Sequence, residues 1–135
     1  MIERLEAYML CKGYWVKGIR EYDNVLVQVK EIYENGISTT DNQFFLFKDT
    51  TGIEITPEWL IRAGFNLQAD NTFIKQGFPF QIIPHNYIVV YFRGQELTAF
   101  RFVHELQHFY AGVKQRELII DYPDNINPTT YVPEL

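Results

Sequence analysis

The chain has 135 residues, of which 47% are hydrophobic and 21% charged, and its formal net charge is -5. This length suits one globular domain. The 12 lysines and arginines are scattered, whereas binding to a phosphate backbone needs concentrated positive charge, so nucleic acid is a disfavoured partner. The single cysteine, Cys11, excludes an internal disulfide, and no run of about 18 apolar residues suits a membrane span. With charges where a signal peptide has its apolar core, the sequence predicts a cytoplasmic protein.

The first part of the chain has the pattern of a β-structure. Residues 2–10 suit either a short helix or a leader into a sheet. Asn35-Gly36 predicts a type I′ hairpin, because both residues tolerate positive φ. Strand-like runs lie on both sides of this turn: Tyr14-Trp15-Val16, Val25 to Val29, and Phe44 to Phe47. Short strands at this spacing predict an N-terminal curled β-sheet or SH3-like small barrel to about residue 55.

A short helix is predicted after residue 55. Thr56 occupies the N-cap position, and Pro57 follows at the first helical position, where its missing N–H costs nothing. Gly64 suits the left-handed residue that ends a helix, and Phe65 is then expected to fold back onto Leu60. Together these residues predict a helix of about two turns.

The rest of the chain predicts β-hairpins and a second helix. A turn is expected at residues 69–71, and Pro79 and Pro84 are expected to break the strands. Thr98 predicts the N-cap of a helix that runs to about Ala111. Residues 117–120 are a candidate last strand.

The expected fold class is therefore α+β. An N-terminal curled sheet or SH3-like barrel is followed by a helix, β-hairpins and a C-terminal helix. One domain is expected over residues 1–120, mainly β over 1–55, and an extended tail over 121–135.

One string in the second helix resembles a catalytic motif. His104-Glu105-Leu106-Gln107-His108 has the HExxH spacing of zinc peptidases. In such a helix the two histidines bind zinc from adjacent turns, and the glutamate activates the zinc-bound water. The alternative that this pattern favours is a zinc-dependent hydrolase with His104 and His108 as ligands and Glu105 as the base.

A helical projection instead favours a structural helix. At 100° per residue, His104 and His108 point away from the apolar stripe, and Arg101 projects between that pair and Glu105. The stripe is formed by Ala99, Phe102, Val103, Leu106, Phe109, Tyr110 and Val113. The extended motif also needs a glycine and a histidine where this chain has Ala111 and Lys114. We therefore expect no metal, no cofactor and no catalytic residue, and we expect Glu105 and His108 to be replaceable at little cost.

Three segments are similar to a known group of proteins. Residues 52–65, GIEITPEWLIRAGF, resemble the form IPLTEEWLLKFGF, and residues 102–110, FVHELQHFY, resemble YVHQLQNLY followed by EL. More weakly, residues 10–16 are similar to LRIGNxV, with Tyr14 in place of the asparagine. These forms recur in short uncharacterised proteins of Bacteroides-group bacteria and their prophages. That family form has glutamine and asparagine at Glu105 and His108, which implies that the HExxH string here is a variant of a structural helix.

Aromatic residues in the first part of the chain suggest a binding surface. Tyr14, Trp15, Tyr22 and Tyr33 are candidates for a platform that binds a peptide or nucleic-acid bases, although core packing explains them as well. Cys11 beside Leu10 is expected to be a small buried hydrophobe rather than a nucleophile.

The favoured function is a non-enzymatic binding or accessory protein, with a prophage origin as one option that the resemblance implies. A protein or peptide is the favoured partner. The alternatives are the zinc-dependent hydrolase and a weak single-stranded nucleic-acid binder.

Overall fold

The structure, a computed structural model, describes Leu5, residues 9–84 and residues 87–120. Most of the element expected at residues 2–10 and the tail at 121–135 lie outside the described residues. Within the described part of the chain, no helix has the length and apolar character needed to cross a membrane.

The first part of the chain forms a five-stranded antiparallel sheet with the order β4-β3-β2-β1-β5. A 3-10 turn, Phe47–Asp49, separates the last two strands and returns the chain to pair with β1. The strands are β1 (Trp15–Ile19), β2 (Asn24–Ile32), β3 (Gly36–Thr39), β4 (Phe44–Leu46) and β5 (Thr50–Thr51). Together with the elements described below, this sheet confirms the predicted α+β fold class.

The hairpin expected at Asn35-Gly36 joins β2 to β3, with Ile32 opposite Ile37. The expected type I′ turn is wrong, because neither Asn35 nor Gly36 has a positive φ. The turn instead closes with a hydrogen bond from the Tyr33 N–H to the Gly36 carbonyl, 2.8 Å long.

The first helix, α1 (Pro57–Arg62), has the ends that the sequence predicts. Gly64 has φ 91°, and the Phe65 N–H donates to the Leu60 carbonyl at 3.0 Å, which closes a Schellman motif. Thr56 lies at the N-cap, but its buried hydroxyl does not cap the helix and makes no hydrogen bond to the described residues.

A second five-stranded antiparallel sheet follows, with the order β10-β9-β8-β7-β6. The strands are β6 (Asn66–Leu67), β7 (Phe73–Lys75), β8 (Phe78–Pro84), β9 (Ile88–Phe92) and β10 (Gln95–Phe100). The expected break at Pro79 is wrong, since β8 continues through it. Pro79 lies outside the residue pairs that join β8 to its neighbours, so its missing N–H removes no ladder bond.

The C-terminal helix, α2 (Val103–Lys114), begins later than predicted. Thr98 is not its cap but lies within β10, opposite Val90. The reason is a two-residue hairpin at Arg93-Gly94, where both residues have positive φ and turn the chain straight back along β9. Phe102 is the N-cap.

The prediction of a last strand at residues 117–120 is also wrong, because these residues have no regular secondary structure. Leu118 and Ile120 are nevertheless buried. They are held by packing in the core instead of by a sheet.

The main hydrophobic core joins the two halves of the chain. Trp15 and Leu26 of the first sheet belong to the same buried cluster as Leu106 and Tyr110 of α2 and Ile82 of the second sheet. The helix α2 therefore lies where both sheets contribute side chains, and this position creates the site described next.

Candidate functional site

The HELQH segment borders a cavity of about 310 Å³ beside the first turns of α2, which we call the α2 cavity. Apolar side chains from three elements and polar side chains from α2 form its wall. The lining residues are Met9, Phe100, His104, Glu105, His108 and Phe109. A concave apolar surface with a few convergent polar groups is the usual form of a ligand site, and this volume is at the small end of that class.

The two histidines share this cavity, but only His104 departs from the predicted position away from the apolar stripe. The His104 side chain is only 4% exposed, and its ring stacks on Phe102 with 5.7 Å between ring centroids. His108, one turn later, is exposed. The projection was wrong because the face of α2 that packs inward includes two polar residues, His104 and Gln107, whereas Val113 of the apolar stripe is 37% exposed. Apolar residues alone therefore did not mark the buried face of the helix.

Burial governs the chemistry of His104. The desolvation of its ring lowers the pKa to about 4; His108 lowers it slightly further, and the Glu105 carboxylate opposes the shift. Its Nδ1 atom is buried and makes no hydrogen bond to any residue that the structure describes. At neutral pH this side chain is therefore a neutral imidazole.

His108 is held by a residue from the other end of the chain. Its Nδ1 lies 3.1 Å from the Tyr14 hydroxyl, and the two rings meet edge to face. Burial, and secondarily a hydrogen bond to Cys11, raises the pKa of Tyr14, so the phenol stays protonated. Cys11 itself is exposed, which contradicts the expected buried position.

Glu105 is engaged in starting the helix. Its Oε1 accepts hydrogen bonds from the N–H groups of Arg101 at 3.0 Å and Phe102 at 2.9 Å. This is half of a capping box, because phenylalanine has no side-chain acceptor to return the bond. Arg101 precedes the helix and pairs with Glu54 at 3.0 Å, rather than projecting between the histidine pair and Glu105.

The described residues supply only part of the donor set that a catalytic zinc needs. Such a site needs three protein ligands and an open position. Across residues 9–84 and 87–120, no group of three or more histidine, cysteine, aspartate or glutamate side chains is placed to hold one ion. His104 and His108 supply two imidazoles, while Glu105 is used by the helix start. A zinc ion at this site would have to take a further ligand from elsewhere.

The four aromatic residues proposed as a platform do not form one. Tyr14 and Trp15 are buried at 2% and 5% exposure, whereas Tyr22 is 91% exposed. Tyr33, also exposed, lies at the opposite end of β2 from Tyr22. The alternative of a single-stranded nucleic-acid binder was based on this platform, and base stacking needs adjacent exposed rings, which these four residues do not provide.

Gln107 is the functional-looking residue that sequence reasoning missed. It is fully buried, its Oε1 accepts a hydrogen bond from the Trp15 N–H at 2.8 Å, and its Nε2 donates to the Gly13 carbonyl at 3.1 Å. One signal was present: Gln107 lies between Val103 and Tyr110 at helical spacing, on the face that packs inward. A polar residue at such a position needs internal partners.

No protein-family model, curated protein or solved structure matches the chain. The similarity to the Bacteroides-group proteins therefore stays a prediction, and function is inferred from the geometry of the site alone.

Proposed function

We propose that this protein is a non-enzymatic binding module that receives an apolar side chain of a protein partner in the α2 cavity. The observation that carries the proposal is the lining itself. Met9, Phe100 and Phe109 present apolar surface to a cavity of about 310 Å³, with imidazoles along one wall. An apolar group that enters such a cavity removes its own surface and that of the wall from water, which stabilises the complex.

The polar groups of the cavity support binding better than catalysis. Glu105 already accepts two backbone N–H groups, and His104 is a neutral ring whose low pKa makes it a weak proton acceptor at neutral pH. A general base works best when its pKa lies near the operating pH. These groups orient a bound group by hydrogen bonding more readily than they move protons.

A peptide selection tests this function. A random twelve-residue display library is selected on the wild-type protein, and the enriched peptides are then measured on the variant His108→Trp, which adds a bulky ring to the lining of the cavity from an exposed position. The enriched peptides should carry an apolar anchor and bind His108→Trp at least tenfold more weakly, roughly the loss of one buried side chain.

Two further variants control the selection. Tyr22→Trp adds the same ring at a 91% exposed position in the turn between β1 and β2, and it should leave binding unchanged. His108→Ala removes the Tyr14 hydrogen bond without filling the cavity and should cause a smaller loss than His108→Trp. Equal binding of the enriched peptides to wild type and His108→Trp, or no enrichment, would refute the proposed function.

Zinc-dependent hydrolysis is the second candidate, and one observation favours it: His104, Glu105 and His108 line the same cavity. It is tested by metal analysis of the purified protein, with zinc bound per chain as the readout. Stoichiometric zinc that is lost in a His104→Ala, His108→Ala double variant would favour the hydrolase over the binding module. A Glu105→Gln variant would then separate zinc binding, which should persist, from hydrolysis, which should stop.

A further inference from the structure

The strand that leads into the α2 cavity is the edge of its sheet. Among the described residues, β10 is the terminal strand of the second sheet and pairs with β9 alone. Its side chains at Gln95, Glu96, Leu97 and Ala99 are exposed. Its last residue, Phe100, lines the cavity. An unpaired strand edge offers backbone N–H and C=O groups to an extended peptide.

The backbone just beyond β10 already accepts such a partner. The Ile55 N–H donates to the Arg101 carbonyl at 3.0 Å, and the Val103 N–H donates to the Ile53 carbonyl at 2.8 Å. The segment 53–55 thus pairs with residues 101–103. A register shift lies between Glu96 and Thr98, so the regular part of the edge next to the cavity is Thr98 to Phe100. This length suits a short extended segment.

The polar groups of the cavity favour a side chain that carries a hydrogen-bond donor. Both hydrogen bonds to Glu105 end on Oε1, and within the described chain Oε2 has no hydrogen-bond partner. His104 contributes a neutral imidazole to the same wall, with its Nδ1 buried and not hydrogen-bonded to any described residue. A ring that carries a hydroxyl or N–H donates to Oε2, whereas a phenylalanine ring has no donor for it.

We infer that the partner binds as an extended segment along β10 and places a tyrosine or tryptophan side chain in the α2 cavity. The inference rests on the proposed function and names its ligand class. The apolar walls bury the ring, the Glu105 carboxylate binds its donor, and the edge of β10 binds the flanking backbone. A free aromatic compound would gain the first two of these contacts without the third.

Synthetic peptides test the inference. The probes are seven-residue acetylated and amidated peptides of alternating threonine and valine, with a central tyrosine, tryptophan, phenylalanine or leucine. The tyrosine and tryptophan peptides should bind wild-type protein on the order of tenfold more tightly than the phenylalanine peptide, as expected for one hydrogen bond to a charged or buried acceptor. N-acetyltyrosinamide should bind more weakly than the tyrosine peptide, because it lacks the flanking backbone.

Two controls isolate the groups responsible. The double variant His104→Phe, Glu105→Gln keeps a carbonyl acceptor for the helix start but removes the imidazole and the charge, so the preference for tyrosine over phenylalanine should fall to near unity. N-methylation of alternate peptide amides should weaken binding of the tyrosine peptide by an order of magnitude, since it blocks pairing with β10. Circular dichroism verifies that the double variant is folded.

The outcomes separate the inference from the function on which it rests. If the phenylalanine or leucine peptide binds as tightly as the tyrosine peptide and His108→Trp still blocks both, the binding function stands and the choice of ring is refuted. If N-methylated peptides or N-acetyltyrosinamide bind as tightly as the tyrosine peptide, pairing along β10 is refuted. If the preference for tyrosine survives in the double variant, the assignment of Glu105 as the acceptor is wrong.

Discussion

The side-chain amide of Gln107 joins α2 to the start of the first sheet by accepting a hydrogen bond from the Trp15 N–H at 2.8 Å. Its nitrogen donates to the Gly13 carbonyl at 3.1 Å, so one buried amide satisfies two backbone groups of the segment that enters β1. These residues are more than 90 positions apart in the chain. Gln107 is thereby a specific link between the helix that bears the cavity and the N-terminal sheet.

Replacement of Gln107 by methionine should destabilise the protein strongly. The two side chains have similar volume, but methionine removes the side-chain acceptor of the buried Trp15 N–H and one of two side-chain donors to the Gly13 carbonyl, which also accepts from Gln28 Nε2 at 3.1 Å. The loss should be about 1–3 kcal/mol. Urea unfolding followed by tryptophan fluorescence measures the loss. Gln76→Met, at an exposed position between β7 and β8, is the matched control and should change stability by less than about 0.5 kcal/mol. A Gln107→Met protein as stable as the control would show that the link contributes little.

Local chemistry explains what the sequence could predict. The ends of α1 follow from Pro57 and from the Gly64-Phe65 pair, because each acts on backbone groups within a few residues. The start of α2 could not be predicted in the same way. The start of α2 depends on a hairpin in which Arg93 has a positive φ, and an arginine in the sequence does not indicate that conformation. Because of this hairpin, Thr98 lies in a strand and not at the helix start.

The candidate site could be predicted only in part, because some of its features depend on contacts between distant segments of the chain. The spacing of His104 and His108 predicts that both lie on one side of a helix, and they do. Which side is buried depends on contacts with distant segments, including Tyr14 and the strand ending at Phe100. The role of Gln107 depends on Gly13 and Trp15, which no local pattern connects to it.

The substitutions Gly64→Ala and Gly112→Ala should change the free energy of unfolding in opposite directions. Gly64 has φ 91° at the end of α1, so Gly64→Ala should cost about 1–2 kcal/mol for the left-handed backbone. Gly112 lies within α2, and a Cβ added there meets no atom of the described residues within 4 Å, so Gly112→Ala should stabilise by about 0.5–1 kcal/mol. Thermal unfolding of both variants tests this pair. Stabilisation by Gly64→Ala would contradict the assigned helix end.

Glu105 should contribute more to stability than a solvent-facing helical glutamate. Glu105→Ala removes the acceptor for the Arg101 and Phe102 N–H groups at the start of α2, and it should cost about 1 kcal/mol. Glu105→Gln retains an acceptor and should cost less. Chemical denaturation compares both with Glu96→Ala, a substitution on the exposed side of β10. If Glu105→Ala and Glu96→Ala have equal effects, the capping role is wrong, and the sequence prediction that Glu105 is replaceable at little cost holds.

His104 should make the protein less stable as the pH falls below neutrality. Its pKa is about 4 in the folded protein, whereas an imidazole in the unfolded chain titrates near 6.5. Between these values the unfolded state binds more protons, so the free energy of unfolding decreases as the pH is lowered through this window and levels off below about pH 4. The decrease between pH 7.5 and pH 5 should be on the order of 2 kcal/mol for this group.

The variant His104→Phe isolates this effect, because it keeps a ring of similar size and removes the titrating group. Glu105 and His108, which also influence the pKa of His104, remain in both proteins. Urea unfolding at pH 7.5 and pH 5 should give a larger loss of stability for wild type than for His104→Phe, because other titrating groups contribute nearly equally to both. Parallel losses in the two proteins would mean that His104 gains a proton in the folded state as readily as in the unfolded state, and its ring would then have solvent or a hydrogen-bond partner at the cavity.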